Sequence, residues 1–243
     1  KIYGKNTLTT DIIGAGYSTL LTIAPMLVVI GALIVMQYLL DFPSVGYAER
    51  ELFSCTVLYT FIFSLLTASP FNSVLSRYMS DVIYDETFED ILPCFYVGLA
   101  LNISLSVLVG VPFCIHEIVV GKVNILYVLT GYCGYIALVL VFYSMLYLSI
   151  CKDYKKISKY FAVGIVVSVL LSLVLRFLFH CTITYSMLLA LTVGFWLTAS
   201  MEFAVVHSYF RENSGKYKKV LGYFKQYWQL GVTNFLYTLG LYI

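Results

Sequence analysis

The chain has 243 residues, of which 60% are hydrophobic and 12% charged, with a formal net charge of +2 and a mean hydropathy of +0.88. A soluble domain carries about a quarter charged residues, so this composition excludes an ordinary water-soluble fold. Residues 12–40, 52–76, 91–115, 124–150, 160–175 and 182–201 contain no Lys, Arg, Asp, Glu or His. A helix needs about 20 apolar residues to cross a hydrocarbon core about 30 Å thick. In lipid every backbone amide must bond internally, which leaves helices or a closed barrel. Barrel strands are short and alternate in polarity, and these stretches do neither. The predicted fold is all-α, a polytopic transmembrane helical bundle forming one transmembrane domain over 1–243. Its spans fall near 12–40, 52–76, 91–115, 124–150, 160–179 and 183–206, with 228–243 opening a seventh. Lys1 is not an initiator Met and the last residues read as a helix cut short, so the sequence reads as the N-terminal part of a longer chain.

The first span is longer than the bilayer core requires, and Pro25 predicts a bend within it, because proline frees the carbonyl four residues back. Pro70 predicts the same in the second span. That span ends in Arg77-Tyr78-Met79-Ser80-Asp81, where Arg77 and Asp81 share a helical face at i, i+4. The pair is either an exposed ion pair of little consequence or a partly desolvated gate. An acidic loop, 81–90, follows. Asn102 lies at the centre of the third span, where an amide either bonds a neighbouring helix or lines a wet cavity. In the fourth span Tyr132, Tyr135, Tyr143, Tyr147 and Tyr154 fall within about a 120° arc at 100° per residue. Such a column either packs or offers ring faces and hydroxyls to a passing sugar.

Arg176 near the end of the fifth span reads as a snorkelling side chain. Glu202, toward the end of the sixth, reads as an interfacial acid or a partner across helices. Val220, Leu221, Phe224, Tyr227, Trp228 and Gly231 mark one helical face bordered by Lys218, Lys219 and Lys225. This segment is either an interfacial helix on anionic lipid or a plain amphipathic lead-in to the seventh span.

Lys and Arg in short loops set orientation. With the N-terminus in the cytoplasm, Lys1, Lys5, Arg77, Lys152, Lys155, Lys156, Lys159, Arg211, Lys216, Lys218, Lys219 and Lys225 fall inside, against Arg50, Lys122 and Arg176 outside. The expected location is therefore the cytoplasmic (inner) membrane, multi-pass, with a cytoplasmic N-terminus. The six cysteines are scattered singly and the three histidines are isolated, so neither predicts a metal site. No phosphate-binding Gly-rich loop, nucleophile elbow or zinc-protease motif occurs. No acid is expected near the midplane of the first six spans. An enzyme, a cofactor and a nucleic-acid partner are not expected.

Residues 57–102 carry a specific pattern: Val57-Leu58-Tyr59-Thr60-Phe61-Ile62-Phe63-Ser64-Leu65-Leu66, then Ser69-Pro70, then Ser76 to Asp81 and Tyr84. This pattern resembles the PelG family, the membrane transporter of the Pel exopolysaccharide system, with Phe63-Ser64 and the Arg-Tyr-x-Ser-Asp run carrying the match. Ile23-Ala24-Pro25 stands where the family has Gly-Pro-Trp, and Ala24 and Met26 depart from it. Leu230-Gly231 to Ile243 looks like the family's start of helix 7. The resemblance implies the multidrug/oligosaccharidyl-lipid/polysaccharide (MOP) exporter superfamily, a two-lobed bundle of twelve helices around a central cavity, with this chain as the first lobe. It implies passage of an amino-sugar polymer across the cytoplasmic membrane. It also implies partners: a cytoplasmic glycosyltransferase and membrane scaffold proteins, one of them a cyclic-di-GMP receptor. The family supplies no catalytic residues.

On that basis Asn102, Tyr132, Tyr135, Tyr143 and Tyr147 are candidate transport-pathway residues, and Arg77, Tyr78, Ser80 and Asp81 a candidate cytoplasmic gate. The alternatives are a cation-coupled drug exporter or a lipid-linked oligosaccharide flippase of the same superfamily, told apart by a buried acid or a basic cavity. A membrane scaffold that moves nothing is a third, with loops 81–90 and 211–225 as docking surfaces.

Overall fold

The computed structural model describes residues 27–242. The helices are α1 (Leu27–Leu39 as described), α2 (Tyr47–Tyr84), α3 (Ile91–Val119), α4 (Ile125–Ile150), α5 (Tyr154–Phe177), α6 (Ile183–Tyr209), α7 (Tyr217–Gln226) and α8 (Trp228–Tyr242), with short 3-10 turns at Phe42–Ser44 and Phe88–Asp90. No strand occurs among the described residues. Helices α2 to α6 are long and apolar enough to cross a membrane, so the chain is an all-helical, multi-pass membrane protein. Pro25 and most of the expected first span lie outside the described residues.

The expected spans match these helices to within a few residues at most ends. The chief difference is α2, which extends past both ends of 52–76 to 38 residues, or about 57 Å. It runs through Pro70 without a break. The Leu66 carbonyl, which proline deprives of an amide partner, accepts the Ser69 hydroxyl instead at 3.1 Å. Five chain reversals follow one device. Asp41, Glu86, Lys122, Lys152 and His180 stand just beyond the ends of α1 to α5 with φ of 52°, 55°, 52°, 56° and 53°, left-handed residues that stop a helix.

Helix α4 is the hub, packed by α2, α3 and α6. Its run Ala137–Val141 is buried throughout. Helix α5 reaches the hub chiefly through α6. The α5–α6 crossing works because neither backbone carries a side chain at the contact. A Cβ on Gly194 would lie 2.6 Å from the Gly164 carbonyl oxygen. Lipid tails are as apolar as Leu, so small residues that let backbones meet supply what the hydrophobic effect does not. Elsewhere the helices turn apolar side chains outward. Leu108 and Leu170, well inside α3 and α5, are 71% and 58% exposed, as lipid-facing positions require.

One end of the bundle, in its loops and the adjoining turns of α5 and α7, carries most of the lysines among the described residues; this basic end gathers the α2–α3, α4–α5 and α6–α7 connections. There the acidic and basic loops bind one another. Lys216 Nζ lies 3.2 Å from Glu89 and 3.6 Å from Asp90, and Lys219 Nζ lies 2.9 Å from Asp90. Ser214 adds its hydroxyl to Asp90 and its amide to the Glu89 carbonyl at 3.0 Å. The hydrogen bond to Glu89, and then the charge of Asp90, raise the Lys216 ammonium above its ordinary range. This clasp lays α7 against α3 and delivers the chain to α8, which packs on α2.

Candidate functional site

At the end opposite the lysines, α2, α3 and α4 enclose a cavity of about 580 Å³, within the range of small-molecule sites. Its wall is aromatic: Tyr59 and Phe63 from α2, Phe113 from α3, and Tyr127, Tyr132 and Tyr135 from α4. Hydroxyl pairs fix the rings. Tyr135 and Thr67 share a hydrogen bond of 2.7 Å, and Tyr127 donates to Thr56 at 3.4 Å. Tyr132 fits because Gly110 presents only a backbone to its ring; a Cβ there would collide with it. The chemistry on offer is ring faces for stacking, hydroxyls for hydrogen bonding, and one carboxylate, Glu117, at the rim.

The tyrosine column therefore divides by depth. Tyr132 and Tyr135 line the cavity, whereas Tyr143 and Tyr147 are fully buried nearer the basic end. Tyr143 donates to the Phe95 carbonyl at 2.5 Å and pairs with the Tyr147 hydroxyl at 3.0 Å. Tyr147 reaches Cys94 Sγ at 3.7 Å. Phe95 sits among these rings and Phe203, with centroids 5.0–5.4 Å away. A shared helical face does not give a shared environment, because α4 is covered by α3 and α6 at one depth and open at another.

Asn102 is fully buried, but its amide does not cross to another helix. It donates back to the Gly98 carbonyl at 2.9 Å, and its Oδ1 has no partner among the described residues. Asn102 is not part of the wall of the aromatic cavity.

At the basic end no direct ion pair joins Arg77 and Asp81. Tyr223 of α7 meets this face instead, donating to Asp81 at 2.6 Å. The Arg77 guanidinium lies 4.5 Å from the centre of the Tyr227 ring. Burial, and then the Asp81 carboxylate, push the Tyr223 hydroxyl well above its usual range, so it stays a donor. Tyr78 packs edge-on against Tyr223 at 5.0 Å. Ser80 is exposed and bonds only its own helix, at Ser76. Three of the four motif residues thus hold α7 to α2, and the motif's partner is a helix more than 130 residues later.

Of the two readings of Glu202, the structure shows the cross-helix one: it is fully buried rather than interfacial. It accepts a hydrogen bond from Ser144 of α4, and its Oε1 has no partner among the described residues. Sequence reasoning also passed over Tyr59, Thr67 and Tyr127. The signal was present in α2, where Thr56, Tyr59, Thr60, Phe63 and Thr67 recur at three- and four-residue steps, a polar-aromatic stripe on an apolar helix. No cluster of groups able to hold a metal ion occurs among the described residues.

Compared with known families, residues 1–243 match the family model PelG, described as "Putative exopolysaccharide Exporter (EPS-E)". No curated protein and no solved structure matches the chain.

Proposed function

The chain belongs to the PelG family of exopolysaccharide exporters, and from that membership we propose that it forms the first lobe of a passage carrying a Pel-type amino-sugar polymer across the cytoplasmic membrane. That it is a membrane polysaccharide exporter follows from the family and from its apolar helices. The finer reading makes the basic end and the N-terminus cytoplasmic, in keeping with the distribution of Lys and Arg. It assigns the chain to the MOP superfamily. It also gives the exporter a cytoplasmic glycosyltransferase and membrane scaffold proteins as partners, recruited at the basic end.

The observation that supports a sugar path is the aromatic cavity between α2, α3 and α4. Sugars present flat C–H faces and many hydroxyls, and rings backed by hydroxyl groups answer both. On this reading Tyr59, Tyr132 and Tyr135 touch polymer at the outer end, and the Arg77–Tyr223–Asp81 junction governs access at the inner end. The test replaces Tyr59 and Tyr132 with Ala in the full-length protein. Secreted polymer per unit of membrane protein is expected to fall at least tenfold with protein level held. Unchanged export at unchanged level would remove this cavity from the path.

A second reading, a cation-coupled exporter of the same superfamily, is favoured by one observation: Glu202 is a buried carboxyl whose one hydrogen-bond partner among the described residues is Ser144. Buried ionisable groups in a membrane mark ion or proton paths by default.

A further inference from the structure

The cations of α7 divide between two faces. Lys216, Lys219 and Tyr223, at three- and four-residue spacing, share one face, the lysines engaged by Glu89 and Asp90 of the α2–α3 loop and Tyr223 by Asp81 of α2. Lys218 and Lys225 lie seven residues apart, 20° short of two full turns, and so share another face. Both are exposed, and neither has an acidic partner among the described residues. They border a groove of about 520 Å³ whose floor is Phe71 and Val74 of α2 and Leu101 of α3. Leu221 and Trp228 stand at its rim, 53% and 58% exposed. Phe224 closes the floor edge-on against Phe71 at 6.2 Å. An apolar trough edged by two ammonium groups with no acidic partner among the described residues matches a ligand with a hydrocarbon tail and a negative head.

The depth fits as well. The groove lies beside α2 from Pro70 to Val74, about 10–21 Å inward of Asp81 and Tyr84 at the helix end. An acyl chain therefore meets the floor where hydrocarbon begins, and its phosphate meets the lysines. Trp at this boundary is the usual interfacial anchor.

We propose that this groove is a binding site for an anionic phospholipid of the cytoplasmic leaflet, its phosphate held by Lys218 and Lys225 and one acyl chain lying on Phe71, Val74 and Leu101. The assignment rests on the basic end being cytoplasmic, and it is independent of which polymer moves. A bound lipid here would brace the α7–α8 corner against α2, next to the Arg77–Tyr223–Asp81 junction.

The experiment places the full-length protein in phosphatidylcholine vesicles containing a minor fraction of either dibrominated phosphatidylglycerol or dibrominated phosphatidylcholine. Trp228 emission is read as the difference between the protein and its Trp228→Phe variant. Each lysine near an anionic headgroup favours it about fivefold, so the pair predicts about a thirtyfold preference for the anionic quencher. Lys218→Gln with Lys225→Gln should abolish the preference, while Lys155→Gln with Lys159→Gln, exposed at the same end on α5 and outside the groove, should keep it. Equal quenching by the two lipids in the unaltered protein would overturn the proposal. So would the absence of quenching by either, which would mean that protein covers the groove. Export is not the readout, so failure here leaves the proposed transport untouched.

Discussion

Tyr143 separates a packing role from a transport role most sharply. Its side chain is wholly buried, and its hydroxyl serves the Phe95 carbonyl and the Tyr147 hydroxyl. Removing a buried aromatic ring costs about 3–5 kcal/mol. Leaving buried polar partners unanswered adds about 1–3 kcal/mol. Tyr143→Ala therefore loses about 4–8 kcal/mol, comparable to a whole domain's stability of about 5–15 kcal/mol. Tyr143→Phe keeps the ring and loses only the hydroxyl, at about 1–2 kcal/mol. The assay is membrane-inserted protein by immunoblot together with secreted polymer. The Ala variant should be scarce, with polymer falling in proportion. The Phe variant should insert at near-normal level and export normally per molecule. A Phe variant present at normal level but unable to export would refute the reasoning, because it would place that hydroxyl on the sugar.

Glu202→Gln keeps shape and hydrogen-bonding capacity beside Ser144, so protein level should hold, whereas Glu202→Lys should abolish insertion by burying a cation without a partner. If the cation-coupled reading is right, the Gln variant also loses any response of export to an imposed pH gradient; a retained response removes Glu202 from coupling. Asp153, between α4 and α5, provides a pH test. Burial pushes its carboxyl up, but hydrogen bonds from Tyr209 and Lys156, with the Lys156 charge, outweigh this and hold it below its ordinary value. A depressed folded pKa stabilises fully above the unfolded value of about 3.9 and is lost as pH falls through the folded one. Asp153→Asn should therefore lower thermal stability at pH 7 by no more than about 1 kcal/mol, since the site is partly solvated. The difference from the unaltered protein should shrink steadily as pH falls below about 3.9; a difference that stays constant or grows on acidification contradicts the assignment.

Helices α2 to α6 were legible because a bilayer imposes a length and forbids charge, and both are local properties of sequence. Hence α3, α4 and α6 begin where the uncharged stretches begin. The overrun of α2 to Tyr84 was hidden because charge marks the edge of lipid, not the end of a helix, and Arg77 and Asp81 continue the helix beyond it. The division of the tyrosine column was hidden for a different reason. Periodicity gives the direction of Tyr143 and Tyr132 around α4 but not which neighbour covers each depth. The environment of Glu202 was hidden on similar grounds, since nearness to the end of α6 suggested water where α4 supplies Ser144. The clasp was half legible: loops 81–90 and 211–225 have opposite charge, and a pairing between them was there to be weighed. That Lys216 and Lys219 turn toward it while Lys218 and Lys225 turn away follows only from how α7 is rolled against α3.

The central claim is that this membrane protein itself moves polysaccharide. The direct measurement is flux of amino-sugar oligomers across vesicles containing the purified full-length protein alone, with and without the Tyr59 and Tyr132 replacements. Saturable flux in the unaltered protein that collapses in the variant is the predicted result. Vesicles no leakier to sugar than protein-free ones would contradict it and leave a scaffold in its place.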